Sequence, residues 1–170
     1  EYTNSFLSFF PTMEIILNIE ADHLDFFKDL EDIRRSFREF ARRLPEDGLL
    51  ILDGNIAAPE EITEGLTCRV VTVSHGADGD YGAAEVAYDE TGRPSFTLMK
   101  KGVSCGRIRL GVLGEHNVYN ALAAIGAAEA LGVSMEGIRR GLEGFAGTER
   151  RFEKKGQIGD VTIIADYAPH

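Results

Sequence analysis

Three short apolar runs constrain this chain most. Residues 14–19 (EIILNI), 49–52 (LLIL) and 69–73 (RVVTV) are strand-length stretches rich in Ile, Leu and Val, each closed by polar or turn-forming residues. Continuous runs of this kind mark strands covered on both faces, as in a parallel sheet. Between the first two, Phe27, Leu30, Ile33, Phe37, Phe40 and Leu44 recur at steps of three and four. That spacing lays one apolar stripe along a helix over 26–44. Acidic Asp29, Glu31 and Asp32 come early, and Arg34, Arg35, Arg38, Arg42 and Arg43 come late, an order that suits the helix dipole. The stretch from Pro45 to Gly48 stops the helix. Strand, helix and strand at these lengths form a βαβ unit, so the expected fold class is α/β, a mainly parallel sheet flanked by helices.

The texture changes after Ser74. Residues 84–88, 95–99 and 107–112 read as short strands separated by Gly, Asp and Pro, and Asp89 to Pro94 has the composition of a hairpin loop. A small antiparallel β subsheet attached to the α/β core is expected there. Residues 117–131 return to strong helix formers and stop at Gly132, and Ser134 caps a further helix to about Gly141. The loop 144–149 reads as a domain linker, and a further strand begins at 161–164. The expected division is 1–146 and 147–170.

Charge and length exclude several classes. The 170 residues carry a formal net charge of −10, which leaves no basic face for nucleic acid. No stretch approaches the ~20 apolar residues of a membrane span, and no basic leader precedes an apolar run at the start. Cys68 and Cys105 lie far apart, in no metal-ligand spacing, and read as free thiols of a reducing compartment. Both ends are expected to be cut, since the chain opens on Glu1 and stops soon after a strand.

Three segments carry candidate chemistry. Asn18 to Asp25 (NIEADHLD) follows the first strand, and in open α/β sheets ligands bind outside the carboxyl ends of the strands. Glu20, Asp22, His23 and Asp25 fall within six residues and suit a metal or phosphate role, a divalent cation being held directly or through water; the competing reading is helix capping and local packing. In Gly114 to Ala124 (GEHNVYNALAA), His116 and Asn120 are four apart on one helix face and Asn117 is adjacent. Asn amides donate and accept together, which matches a purine edge, although an ordinary packing helix has the same pattern. Arg151, just past the linker, suits phosphate or ribose, and Asp166 at a strand end suits a ribose diol; surface charge is the competing reading. A small metal-dependent phosphoesterase using Asp22, His23 and Asp25 would need a second His or Asp cluster, for which His75 is the loose candidate. A non-catalytic binding domain also stays open. The 170 residues contain no G-x-x-x-x-G-K-[ST], G-x-G-x-x-G, G-x-S-x-G or C-x-x-C pattern.

In this order the segments EYTNSFLSFFPT, NIEADHLDFFKD, SFREFARRLPEDG, LGEHNVYNALAAIGAAEALG, GFAGTERRFEKKG and ADYAPH resemble the Mur ligases over nearly the whole chain. The resemblance implies the central ATPase domain after its P-loop, with the first segment of the C-terminal domain. It implies ATP and Mg²⁺ as cofactors, cytoplasmic peptidoglycan synthesis, and UDP-N-acetylmuramate and L-alanine as substrates joined through an acyl phosphate. A related muropeptide-recycling ligase is the alternative within the family. Matched motif by motif, the resemblance makes His23 the Mg²⁺ ligand, sets His116, Asn117 and Asn120 against the adenine, and brings Arg151 and Asp166 to the ribose and phosphates. It places the family's metal-binding glutamate upstream of Glu1. The family's D-D-Y-A-H-H-P reads Ala165-Asp166-Tyr167-Ala168-Pro169-His170 here, with Ala165 and Pro169 as departures. Without a P-loop, these 170 residues alone are not expected to turn over ATP.

Overall fold

The computed structural model describes residues 3–167; Glu1, Tyr2 and the Ala168–His170 end, including the Pro169 departure, lie outside the described residues. Six strands form one sheet in the order β1 (Met13–Ile16), β2 (Leu49–Asp53), β3 (Arg69–His75), β4 (Tyr81–Tyr88), β5 (Pro94–Lys100) and β6 (Val103–Arg109). The first three pairings are parallel and the last two antiparallel. The antiparallel strands therefore extend the same sheet and do not form a separate one.

Burial explains the sheet's position. Every residue of β2 is buried. Leu50 and Leu52 face α1 (Leu30–Ala41), packing with Ile16, Ala41, Leu44 and Ile62. Leu49 and Ile51 face the other way and pack with Val71, Val73, Phe96 and, from α3 (His116–Ala130), Val118, Leu122 and Ile125. A strand sandwiched this way has no use for polar alternation, which is why its sequence is an unbroken apolar run.

Local departures from the sequence reading have identifiable causes. The strand expected over 14–19 ends at Ile16, and the helix expected over 26–44 begins at Leu30. Asp29 stops the helix from extending backward: its carboxylate accepts the Asp32 amide at 2.9 Å while its own backbone is extended. The amides of Phe26 and Phe27 instead donate to the His23 carbonyl, both at 2.9 Å. Between β3 and β4 the chain turns over five residues, 76–80, and β4 still runs parallel to β3, pairing Val73 with Tyr81. A helical crossover normally makes such a connection. Here the Asp80 carboxylate accepts the Thr72 amide at 3.0 Å, and Gly82 lies so close to the Gly76 carbonyl that a Cβ has no room.

Arg34, read from the sequence only as a charge suited to the helix dipole, has a side chain only 10% exposed. Its guanidinium donates to the carbonyls of Ala57 and Ala58 at 2.7 and 3.0 Å and to Glu61 at 3.0 Å, tying α1 to the start of α2 (Pro59–Thr63). The sequence reading assigns no helix at α2. Arg34→Ala is expected to lower unfolding stability by about 2 kcal/mol, because two carbonyls and a carboxylate lose the charged donor that joins α1 to α2. Urea denaturation checks this, and a loss below about 0.5 kcal/mol, the range of ordinary surface substitutions, would refute it.

After α3, α4 (Met135–Gly144) starts as expected from Ser134, whose hydroxyl accepts the Gly137 amide at 3.2 Å. A hairpin of β7 (Glu153–Ile158) and β8 (Val161–Ala165) follows. The sequence EKKGQI of β7 lacks an apolar alternation, so its strand is not legible locally; pairing with β8, with an irregularity between Lys154 and Gly156, creates it. Both strands of this hairpin are largely exposed, with Ile158, Val161, Ile163 and Ile164 open to solvent. Cys68 is buried and Cys105 partly buried, and both are free thiols.

Candidate active site

The carboxyl ends of β1 and β2 organise the site. Past Ile16 the chain becomes a loop, and His23 occupies it with φ 52°, in the left-handed region. That conformation costs a histidine about 1–2 kcal/mol, so the surrounding contacts must hold it. They do so at several points. The His23 amide donates to Asp22 Oδ1 at 2.7 Å, its carbonyl takes the two phenylalanine amides, and buried Phe27 anchors the turn. The His23 imidazole is 40% exposed, with Nε2 3.8 Å from Asp22 Oδ2. Both residues line a cavity of about 430 Å³ together with Asn18 and Glu20, and Phe6 and Phe37 form an apolar wall. The Phe6 and Phe37 rings stack at 5.6 Å. Asp25 is exposed and does not line this cavity.

This donor set suits Mg²⁺ in part. Imidazole and carboxylate oxygens are appropriate ligands, but no group of three His, Cys, Asp or Glu side chains able to hold an ion forms among the described residues. Magnesium ordinarily keeps several waters and takes further oxygens from phosphates, so one or two protein ligands beside a nucleotide suffice. The self-contained cluster that the phosphoesterase reading needs does not form among the described residues.

At the start of α3 the expected trio comes together. Asn117 Nδ2 donates to the Leu113 carbonyl at 2.7 Å and lies 3.2 Å from His116 Nε2, and Asn120 Nδ2 donates to Asn117 Oδ1 at 3.0 Å. These contacts make one row along the first turns, with His116 and Asn120 exposed at its ends. Gly114 is required beside it: its φ is +92°, and a Cβ there would lie 2.7 Å from His116 Cε1.

Asp53 and Tyr119 were not legible as site residues. The sequence marks Asp53-Gly54-Asn55 only as a turn. In the structure Asp53 is buried at the end of β2, and its Oδ1 accepts both the amide and the side-chain nitrogen of Asn55, at 2.9 and 2.7 Å. Tyr119, on the first turn of α3, donates to Glu115 at 3.4 Å. Burial, followed by the charge and hydrogen bond of Glu115 and smaller effects of Tyr88 and Asp53, pushes its hydroxyl up to about 12. It therefore stays protonated at neutral pH. α3 packs against β2, the strand next to β1, whose following loop bears His23.

Arg151 and Asp166 flank the open end of the β7–β8 hairpin. Asp166 Oδ1 accepts the Phe152 amide at 3.2 Å, and the Arg151 amide donates to the Thr148 carbonyl at 3.2 Å. The Asp166 carboxylate thus helps close the hairpin, a structural task the sequence does not reveal.

Comparison with known proteins agrees with this architecture. The family model described as the Mur ligase middle domain matches residues 3–128. Curated relatives named UDP-N-acetylmuramate–L-alanine ligase match the whole chain, at 54% identity in Lachnospira eligens and 41% in Caldanaerobacter subterraneus subsp. tengcongensis. The chain spans 37% of the length of each. Among solved structures, the UDP-N-acetylmuramate–alanine ligase MurC of Thermotoga maritima aligns with a TM-score of 0.80 at 28% identity, over 97% of this chain and 36% of that one. MurF of Acinetobacter baumannii aligns with a TM-score of 0.81 at 32% identity, over 95% of this chain and 35% of that one. A βαβ core with a polar crevice at its strand ends, matched along the whole chain by ligases of one kind and over residues 3–128 by the Mur ligase middle-domain model, makes this chain a member of the Mur ligase family.

Proposed function

We propose that this chain forms the magnesium and adenine side of an ATP-dependent ligase that joins L-alanine to UDP-N-acetylmuramate in cytoplasmic peptidoglycan synthesis. The match of the entire chain to ligases of that name carries this reading. Residues 1–146 belong in it to the central domain and 147–170 to the start of the C-terminal one. Bound ATP and Mg²⁺ supply the phosphoryl group and charge neutralisation that turn the sugar carboxylate into an acyl phosphate, which the alanine amine opens to an amide, releasing ADP and phosphate.

The motif resemblance, with these positions, supports a role for each residue. His23, held by its strained turn, offers an imidazole nitrogen to Mg²⁺, with Asp22 beside it to orient the ring. Asn120 is held by Asn117 through one amide hydrogen, which leaves its carbonyl oxygen and second amide hydrogen for a purine edge. His116 stands at the other end of the same row. Arg151 and Asp166 reach the ribose and phosphates from the hairpin, closing the cleft.

The experiment is an ADP-release assay on the full-length ligase containing this segment. Release is expected to require both UDP-N-acetylmuramate and L-alanine; release that depends on a tripeptide instead of L-alanine would overturn the reading in favour of a recycling ligase. In the same assay Asn120→Ala is expected to raise the KM for ATP roughly tenfold, the scale of one or two lost hydrogen bonds, with kcat little changed. An unaltered KM would remove Asn120 from the adenine site.

A further inference from the structure

The far end of α3 holds an arrangement that the nucleotide site itself does not account for. From Ala121 to Ala130 this helix consists of Ala, Leu, Ile and Gly with one polar side chain, Glu129. Its contact with the sheet is close. A Cβ on Gly126 would come within 3.4 Å of both Ile51 Cδ1 and Tyr81 Cε2, so the backbone itself lies against the strands. Val118, Leu122 and Ile125 key into the core, whereas the small side chains near the end, Ala127 and Ala128, allow close approach and offer few knobs there.

Glu129 adds a polar anchor at this end of the helix. Its carboxylate accepts Tyr81 Oη at 2.6 Å and Lys100 Nζ at 2.8 Å, so β4 and β5 both grip the same group. Lys100 also lies 5.6 Å from the centre of the Tyr81 ring. The cluster is sheltered: Tyr81 is buried, and the Glu129 side chain is 21% exposed. A carboxylate in the last turn of a helix opposes the helix dipole, so its position needs compensating partners, and both are present. At the other end α3 begins without a side-chain cap, on Glu115. The row Asn117–Asn120 is carried on the helix, and the bond from Asn117 to the Leu113 carbonyl joins it to the segment just ahead.

We infer that Glu129, gripped by Tyr81 and Lys100, is a positioning residue that fixes the axial setting of α3 and thereby the placement of His116, Asn117 and Asn120 against the nucleotide base. This rests on the proposed adenine role of those three residues. Thirteen residues separate Glu129 from His116, about 20 Å of rigid helix, so an axial slip at one end reappears undiminished at the other. A 1 Å error at a positioned group suffices to weaken binding.

The test uses the full-length ligase and reads KM for ATP and kcat separately. Glu129→Ala is expected to raise the KM for ATP roughly three- to tenfold while kcat changes less than about twofold, the scale of coupling carried through one packed element. Glu129→Gln keeps an acceptor for Tyr81 Oη and is expected to recover most of that loss, as a stability effect alone would not require. Leu44→Ala, in the core on the other face of the sheet, serves as a comparably destabilising control that leaves the KM for ATP unchanged. In combination with Asn120→Ala, the Glu129→Ala effect on KM shrinks, because both act on one contact. Lower thermal stability of Glu129→Ala with an unchanged KM, or strict additivity with Asn120→Ala, would overturn the inference. If Asn120→Ala alone leaves the KM unmoved, the adenine assignment fails first.

Discussion

Glu14→Gln is expected to stabilise this chain by up to about 3 kcal/mol at pH 8 and to leave stability almost unchanged at pH 4. Glu14 sits in β1 opposite Leu50, is 4% exposed, and neither carboxylate oxygen has a hydrogen-bond partner among the described residues. Burial pushes its carboxyl up to about 7 from an ordinary 4.5. The sign follows from linkage. A group whose folded value is raised contributes its stability in full below the unfolded value and loses it as pH rises through the folded one. The folded chain therefore weakens between pH 4.5 and about 7 and carries a constant penalty above. The amide keeps the shape and cannot ionise, so it removes that pH dependence. Chemical denaturation at a series of pH values measures both proteins; parallel stability curves for the unsubstituted chain and the Glu14→Gln variant would show that the carboxylate is not confined as described. Cys68 shares this layer, and burial, reinforced by the charge of Glu14, raises its thiol as well.

The second large effect concerns metal. In the full-length ligase, His23→Ala is expected to lower magnesium-dependent turnover roughly a hundredfold and to raise the Mg²⁺ concentration needed for half-maximal rate, since the loss of a group that merely supports a metal ligand already costs about 10- to 100-fold. Folding and ligation are separable here. His23 occupies a left-handed conformation that asparagine tolerates well, so His23→Asn preserves the turn and removes the imidazole. Both variants are expected to lose activity alike, and His23→Asn is expected to be the more stable. Mn²⁺ in place of Mg²⁺ gives a direct reading by electron paramagnetic resonance, with weaker binding in both variants in the presence of nucleotide. An unchanged metal requirement would transfer the ligand role to another group.

The two candidate motifs were legible for different reasons. The row on α3 follows from helical spacing: His116 and Asn120 are one turn apart and Asn117 is adjacent, so sequence distance translates directly into contact. The His23 motif was legible as a set of donors past a strand, but not as geometry. Its left-handed turn depends on Phe27 finding the core and on Asp29 starting α1 late. Asp53 was hidden because a buried Asx turn and a surface turn are written with the same residues.

The sequence by itself determined the α/β class, the strands read at 49–52 and 69–73, the existence of helices α1, α3 and α4 and the face shared by His116 and Asn120, because periods of 3.6 and unbroken apolar runs are local properties. Tertiary structure alone decided that the antiparallel strands extend the parallel sheet, that β4 returns beside β3 without a crossover, that β7 is a strand, and that Arg34, Glu14 and Glu129 are enclosed. These depend on partners tens of residues away: Arg34 meets Glu61, and Glu129 meets Tyr81 and Lys100. Whether a charge is solvated or enclosed is set by what the fold brings against it, and no window of neighbouring residues contains that information.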